Sequence, residues 1–570
     1  MLLRAWAVSA AALLAAAPAA ADTLLDNVNG ISIARDGEVT RFHAMVIRDD
    51  GIILQIFKRG EKPPSKIDYR IDGRGRTVIP GLVDSHVHLM EAGFAAMGLD
   101  LSGTASLAEA QARIAEYAAR YPDRPWIVGT GWDEAQWKLG RFPTSAELDA
   151  AVANRPVWLK RADGHAGWAN SRALEAAGVN AKTADPAGGR IERLPGSRSP
   201  SGVLVDNAMA LVAAKLPEPR PEDRDRALRM AQDLLVKHGI TAVADMGTTI
   251  EDWQSYRRAG DAGALRIRIM AYAGSVKDMV LIGGPGPTRW LYDDRLRLSG
   301  LELGLDGTLG SRGALLKAPY ADDPENSGLA RLDSAQLRNL MSRAAMDGFQ
   351  VAIEASGDAA NAEALSAIEE LAEAYEGDRR WRIEHARVVD QADIGHFGSH
   401  GIIASMQPVE QPPERLMVEQ RLGPGRLAGA FAWRSISETG APLAFGSDAP
   451  AGKPEPFAGL AAAVTREDAN GEPFGGWQPQ ETVAREAALA AYTAGGAYAG
   501  FGDGRFGRLA VGERADFVMI DQDPLLASVQ DLRNIRVLEV WINGQQAYDA
   551  NAGADPADAP KSDGGEMIGR

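Results

Sequence analysis

His86 and His88 stand two residues apart in the string VIPGLVDSHVHLM (78–90). The string opens on two β-branched residues, turns at Pro80-Gly81 and runs on through Leu82-Val83. On a strand, residues two apart point the same way, so both imidazoles can enter one cavity. Imidazole is the commonest metal-ligating side chain, and two at the carboxyl end of a buried strand make half of a divalent-metal site. A bare H-x-H is more often incidental, but this chain has only eight histidines. Glu354, His385 in WRIEHA and Asp448 in LAFGSDAP each close a later apolar run. The interval from Glu354 to His385 is about one βα unit and that from His385 to Asp448 about two. Read alone, Asp448 would be a helix N-cap. Donors at the carboxyl ends of several strands point instead to a divalent-metal site.

The elements that must carry these residues alternate apolar strand runs with helical stretches, the pattern of a parallel sheet. After the histidine pair, candidate strands are 240–245, 267–272, 298–305, 349–354, 381–385, 402–406 and 442–446. With the first they make eight, and an α/β fold, a (β/α)8 TIM barrel, is the natural closure. A long insertion, about residues 100–235, separates the first two strands and has strand and helix patterns of its own, so it reads as a cap subdomain over the barrel mouth. Short strands punctuated by Gly and Asp fill 22–79 and return over 501–549, which predicts one small β-sandwich built from both termini around a barrel spanning 80–500. Residues 550–570 are rich in Ala, Asp, Gly and Pro and read as a disordered tail.

Composition narrows the function. A chain of 570 residues, 45% hydrophobic and 24% charged, has material for a barrel and an accessory domain. A net charge of -16 argues against nucleic acid, because nothing would offset phosphate repulsion. With no cysteine, disulfides, thiolate metal sites and a cysteine nucleophile are excluded. No G-x-S-x-G string supports a serine hydrolase. Residues 1–21, with Arg4, an apolar run and Ala19-x-Ala21, read as a signal peptide cleaved after Ala21, hence an exported, periplasmic or secreted protein with no membrane span afterwards. The expected partner is a small-molecule substrate, and a homodimer would be unsurprising.

PGLVDSHVH resembles the first-strand signature of the amidohydrolase superfamily. GTGWDEAQW, RFPTSAELD, DGHAGWANSRAL, Ser201-Gly202-Val203-Leu204 and the G-x-L-x-x-G-x-x-A-D-F segment at Gly507–Phe517 resemble its amidohydrolase-3 family across nearly the whole mature chain. The resemblance implies that a sixth-strand His (His385) and an eighth-strand Asp (Asp448) complete a metal set with the H-x-H pair, a fifth-strand His and a fourth-strand carboxylated lysine. This sequence departs from that set. LELGLDGTLGSR places Glu302 at the lysine position, VAIEASGDAA places Glu354 at the histidine position, and MQPVE places Glu410 where a histidine is frequent. The first exchange keeps a monoanionic oxygen pair. The second adds a charge: two divalent ions with a bridging carboxylate, an aspartate and a hydroxide total about +1, and Glu354 brings that to about zero. A less positive centre is a weaker Lewis acid, and more oxygen donors favour manganese or iron over zinc.

The resemblance therefore implies one or two divalent ions, zinc first, held by His86, His88, Glu302, Glu354, His385 and Asp448. Three readings stay open: an active carboxylate-rich site, a one-metal enzyme using His86, His88 and Asp448, or a decayed site on a retained scaffold. The expected function is hydrolysis of a non-peptide carbon–nitrogen bond by a metal-activated hydroxide, with Asp448 as proton shuttle. The alternative is a catalytically decayed periplasmic binding or scaffold protein. His165 in the cap is the expected catalytic and substrate or oxyanion contact, with Trp132, Asp133 and Trp137 lining the pocket.

Overall fold

The computed structural model describes residues 22–552. The expected signal peptide and all but the start of the expected tail lie outside them. Eight parallel strands follow in sequence order: β1 (Leu82–Val87), β2 (Ile240–Thr248), β3 (Arg268–Ala273), β4 (Leu296–Gly304), β5 (Gln350–Ala355), β6 (Arg382–His385), β7 (Ile403–Met406) and β8 (Leu443–Phe445). Each pairs with the next. The ring closes at its carboxyl end, where Val87 bridges Ala449 and Asp448 N donates to His86 O at 2.8 Å. This is the expected TIM barrel.

The strands are buried on both faces, which is why they read as nearly unbroken apolar runs. Alternation still sorts them. Val243, Ile269, Leu301, Leu303, Val351, Ile353 and Ile383 face the surrounding helices. Ala242, Ala244, Met246, Met270, Tyr272 and Ala352 face inward. The small inner residues leave room for a buried polar column. Gln350 Nε2 donates to Ala499 O at 2.9 Å, Tyr272 OH donates to Gln350 Oε1 at 2.6 Å, and Arg382 Nη1 donates to Tyr272 OH at 3.1 Å.

Strands from both ends of the chain form the accessory sheets. A six-stranded sheet joins Asn29–Ile33, Val39–Phe42 and Thr77–Pro80 to Phe517–Ile520, Val537–Ile542 and Gln545–Asp549. A four-stranded sheet, Thr23–Asp26, Ala44–Ile47, Ile53–Phe57 and Tyr69–Asp72, comes from the N-terminal part alone. Thr77–Pro80 passes directly into β1 through Gly81, where a Cβ would lie 2.1 Å from Thr241 Oγ1. The sandwich thereby fixes the entry of the strand that carries the histidine pair.

Between β1 and β2 the chain builds a second six-stranded sheet, ordered 189–193, 200–206, 166–169, 157–161, 127–132 and 99–100. Its apolar interior includes Trp132, Trp137, Leu148 and Trp168. It meets the loop after β4 through polar contacts: Thr308 Oγ1 donates to Asp163 Oδ2 at 2.5 Å, and Arg190 Nη2 to Ser311 O at 3.1 Å. Among the described residues, no helix is long and apolar enough to cross a membrane.

Candidate metal centre

The carboxyl ends of β1, β4, β5 and β6 and the turn after β8 bring six side chains together. One donor atom each from His86, His88, Glu302 and Glu354 lie within 4.8 Å of one another, and so do those of His86, His385 and Asp448. His86 belongs to both groups. Asp448 Oδ1 is 3.5 Å from His86 Nε2 and 3.5 Å from His88 Nε2, and Glu354 Oε1 is 3.7 Å from His385 Nε2. Glu354 thus stands with the histidine pair as well as beside His385. Glu410 lies outside both groups.

The fit to a metal follows from the imidazoles. His86 Nδ1 donates to Glu384 Oε2 at 2.9 Å, His88 Nδ1 to Met246 O at 3.2 Å, and His385 Nδ1 to Gln407 Oε1 at 3.0 Å. Every Nδ1 is tied to an oxygen, which turns every Nε2 toward the cluster, the arrangement that orients metal-ligating histidines. His86 Nε2 and Glu302 Oε1 are buried with no hydrogen-bond partner. Leaving such atoms bare costs roughly 1–3 kcal/mol each, a cost that a bound cation removes. Three imidazoles and three carboxylates suit a divalent ion.

Backbone strain completes the aim. Arg382 and Glu384 are two apart on β6 and both reach inward, so alternation would turn His385 outward. His385 instead adopts φ 69° and Ala386 φ 41°, which swings the ring back until it lies 4.8 Å from that of His86. Asp448 has φ 57°. Left-handed backbone at a non-glycine residue costs about 1–3 kcal/mol and persists only where neighbours over-determine it. Asp84 is such a neighbour, accepting from Ser447 Oγ at 2.5 Å and Ser447 N at 2.9 Å, one residue before Asp448.

Electrostatics divides the carboxylates. Burial, with Glu354 beside it, holds Glu302 well above its ordinary pKa. Burial opposes the charged form of Glu354 too, but His385 and Arg331 outweigh it and keep that carboxyl well below the usual range. Burial likewise works against protonated His385, yet Glu354 and Asp448 carry its pKa up to about 9. His86 is pushed down by burial. To hold a cation, His385 would have to give up its proton.

Around this core lie residues the sequence reading did not single out. Glu384 is fully buried, clasped by Arg382 Nε at 2.5 Å and Nη2 at 2.9 Å, and ends the polar column beneath His86. Its signal was two charges in a four-residue buried strand. Arg331 Nη1 lies 3.4 Å from Glu354 Oε2. Nothing in its local sequence marks it, because it comes from the loop after β4. Glu410 forms an ion pair with Arg387, which also holds Glu414 at 2.8 Å. Burial raises the Glu410 pKa to about 8 despite that arginine.

The cap residues divide. His165 Nδ1 is held by Asp206 Oδ1 at 2.8 Å, leaving Nε2 free, and its charge acts on Glu354. Asp133 accepts from Arg161 Nη2 at 3.2 Å within a cluster that includes Glu134 and Asp163. Trp132 and Trp137 do not fit the pocket-lining role expected of them. Both are buried in the cap interior, packed edge-on against Trp168, with their indole N–H groups donating to Leu159 O and Thr104 Oγ1. Apolar burial outweighs recognition for such rings.

Comparison with known proteins agrees with this architecture. Protein LONG AFTER FAR-RED 3 of Arabidopsis thaliana is 33% identical over 91% of this chain and 91% of its own length. N-substituted formamide deformylase of Arthrobacter pascens is 28% identical over 84% of this chain and 90% of that protein. An uncharacterized metal-dependent hydrolase from Pyrococcus horikoshii OT3 aligns with a TM-score of 0.71 at 25% identity, covering 89% of this chain and 99% of that one. The amidohydrolase family model matches residues 70–548. With its barrel, its ring of donors and these relatives, the chain belongs to the amidohydrolase family of hydrolases.

Proposed function

We propose that this protein is an exported metal-dependent hydrolase that cleaves a non-peptide carbon–nitrogen bond in a small molecule. The observation that carries the reading is the set of three histidines whose Nε2 atoms, with three carboxylates, converge at the barrel mouth. The similarity to a formamide deformylase supports a carbon–nitrogen substrate.

His86, His88, Glu302, Glu354, His385 and Asp448 would hold one or two divalent ions. Such an ion supplies Lewis-acid polarisation of a carbonyl and acidifies water. Asp448 stands against both histidines of the β1 pair, so its carboxylate takes the proton of the attacking water and returns it to the departing nitrogen. His165, fixed by Asp206 through Nδ1, offers Nε2 to the substrate oxygen. The cap brings charged side chains to bear on the barrel's carboxylates, His165 on Glu354 and Arg161 and Asp163 on Glu414, so the reading favours a small polar substrate.

The test is metal content by elemental mass spectrometry on protein purified without chelator, followed by a screen of N-substituted formamides, ureas and cyclic imides. Bound divalent metal, and turnover that disappears in Asp448→Asn, is the expected result. A wild-type protein without metal, in which Glu354→His restores binding, overturns it in favour of a scaffold that has lost hydrolysis.

A further inference from the structure

Glu354 is a carboxylate among candidate donors that already include Glu302 and Asp448. Its two oxygens do different things. Oε1 faces His385 Nε2 at 3.7 Å, inside the donor cluster. Oε2 meets Arg331 Nη1 at 3.4 Å. Arg331 is itself steered by the cap, through Nε donating to Asn207 Oδ1 at 3.4 Å. Gly304, opposite Glu354 on β4, keeps the space open. A Cβ there would lie 2.5 Å from Arg331 Nη1 and 2.8 Å from Glu354 Oε2. Asn207 follows Asp206, which holds His165, so one end of a cap strand orients both the arginine and the histidine. The same device recurs at the mouth, where Glu410 is paired with Arg387. Glu302 has no arginine partner among its hydrogen bonds, and its Oε1 is free.

We propose that Arg331 is a positioning residue that makes Glu354 serviceable as a metal ligand: it occupies Oε2, leaves Oε1 as a single donor, and offsets the added negative charge. This rests on the metal-hydrolase reading above. The ligand and its counter-charge act as one unit, close to a neutral donor in net charge, and the cap is part of the metal site because it holds the arginine in place. Removing the carboxylate alone strands a guanidinium beside a site that must accept dications, and the repulsion weakens binding. Removing both members relieves it.

The experiment is a double-mutant cycle read as Zn²⁺ and Mn²⁺ affinity, by competition with a chromogenic chelator, with stoichiometry from elemental mass spectrometry. The full-length mature protein is compared as wild type, Glu354→Gln, Arg331→Gln, the double variant, and Arg331→Lys with and without Glu354→Gln. Glu354→Gln is expected to weaken the affected equivalent by about 10–100-fold in the wild-type background, and by about tenfold less where Arg331 is Gln, because contacting residues couple. With Arg331→Lys the full loss returns. Equal losses in all three backgrounds overturn the assignment, since a merely structural arginine would change thermal unfolding without changing that ratio. Should Arg331→Gln not fold, Arg331→Met, which keeps the stem, takes its place in the cycle. A wild type that binds neither ion overturns the metal-hydrolase reading itself, whereas a metal-loaded wild type with no coupling removes only the role of Arg331.

Discussion

The two sides of the donor ring are built by different physics. On the side of β1, β6 and β8, geometry is fixed from within the barrel. Glu384 and Arg382 support His86, Met246 O and Gln407 turn the other two imidazoles, and left-handed backbone at His385 and Asp448 aims the last two candidate ligands. On the side of β4 and β5, the candidate ligands are Glu302, with a bare oxygen, and Glu354, tied to an arginine that arrives from outside the barrel. The first side is held from below, because each of its imidazoles is tied through Nδ1. The second depends on charge placement and on the cap. Breaking the ion pair beneath the first side should therefore cost folding and chemistry together, while changes on the second should alter metal choice and leave the fold intact.

The largest effect is expected at the most constrained ligand. Asp448→Asn should lower turnover by about 10²–10⁴-fold while the thermal unfolding midpoint of the chelator-treated protein stays near wild type. A midpoint that collapses instead would mean that Asp448 carries stability as well as proton transfer. Next comes the polar column. Arg382→Met leaves Glu384 buried without its cation, which costs about 3–5 kcal/mol, visible as a marked fall in the unfolding midpoint. The pH profile sharpens this. Arg382 and His86 outweigh burial and depress the Glu384 pKa to about 2. A depressed acid contributes stability that is complete above its unfolded pKa, about 4.5, and is lost as pH falls through about 2. Wild type should therefore lose stability between pH 4.5 and 2 more steeply than Arg382→Met, measured in chelator so that metal release adds nothing.

How far the sequence revealed this follows the same division. The barrel strands were legible because buried parallel strands are apolar runs of the right length, and the candidate strand from 381 to 385 differs from β6 by one residue. The side chains that meet at the strand ends were legible for the same reason. The support beneath them was not. Gln407 and Arg331 are ordinary polar residues, and only the folded chain shows that one lies under His385 and the other beside Glu354. Strand alternation would even have turned His385 outward, since local periodicity carries no sign of a positive φ. The tryptophans misled in the opposite direction. Trp132 and Trp137 lie in a segment that matches a family, but a large ring in a small cap sheet is first of all core.

The smaller effects test the comparison most finely. Gln407→Leu removes the acceptor for His385 Nδ1 and frees the ring to rotate or change tautomer, and loss of such a contact costs about 10–100-fold in metal affinity. Asn207→Ala should do least, because it removes a single long hydrogen bond of 3.4 Å to Arg331, a contribution of about 0.5–1.5 kcal/mol at most. Its direction is what matters. Asn207 makes no hydrogen bond to a candidate ligand and belongs to the cap, and its side-chain link to the barrel's candidate site runs through Arg331. If the carboxylate side depends on the cap, Asn207→Ala shifts the Zn²⁺ to Mn²⁺ affinity ratio by a few-fold and leaves unfolding unchanged, and the shift vanishes once Arg331→Gln is also present. A shift of equal size in both backgrounds would break the comparison. The cap would then act on the ring by some other route, and the two sides of the site would be less distinct than their geometry indicates.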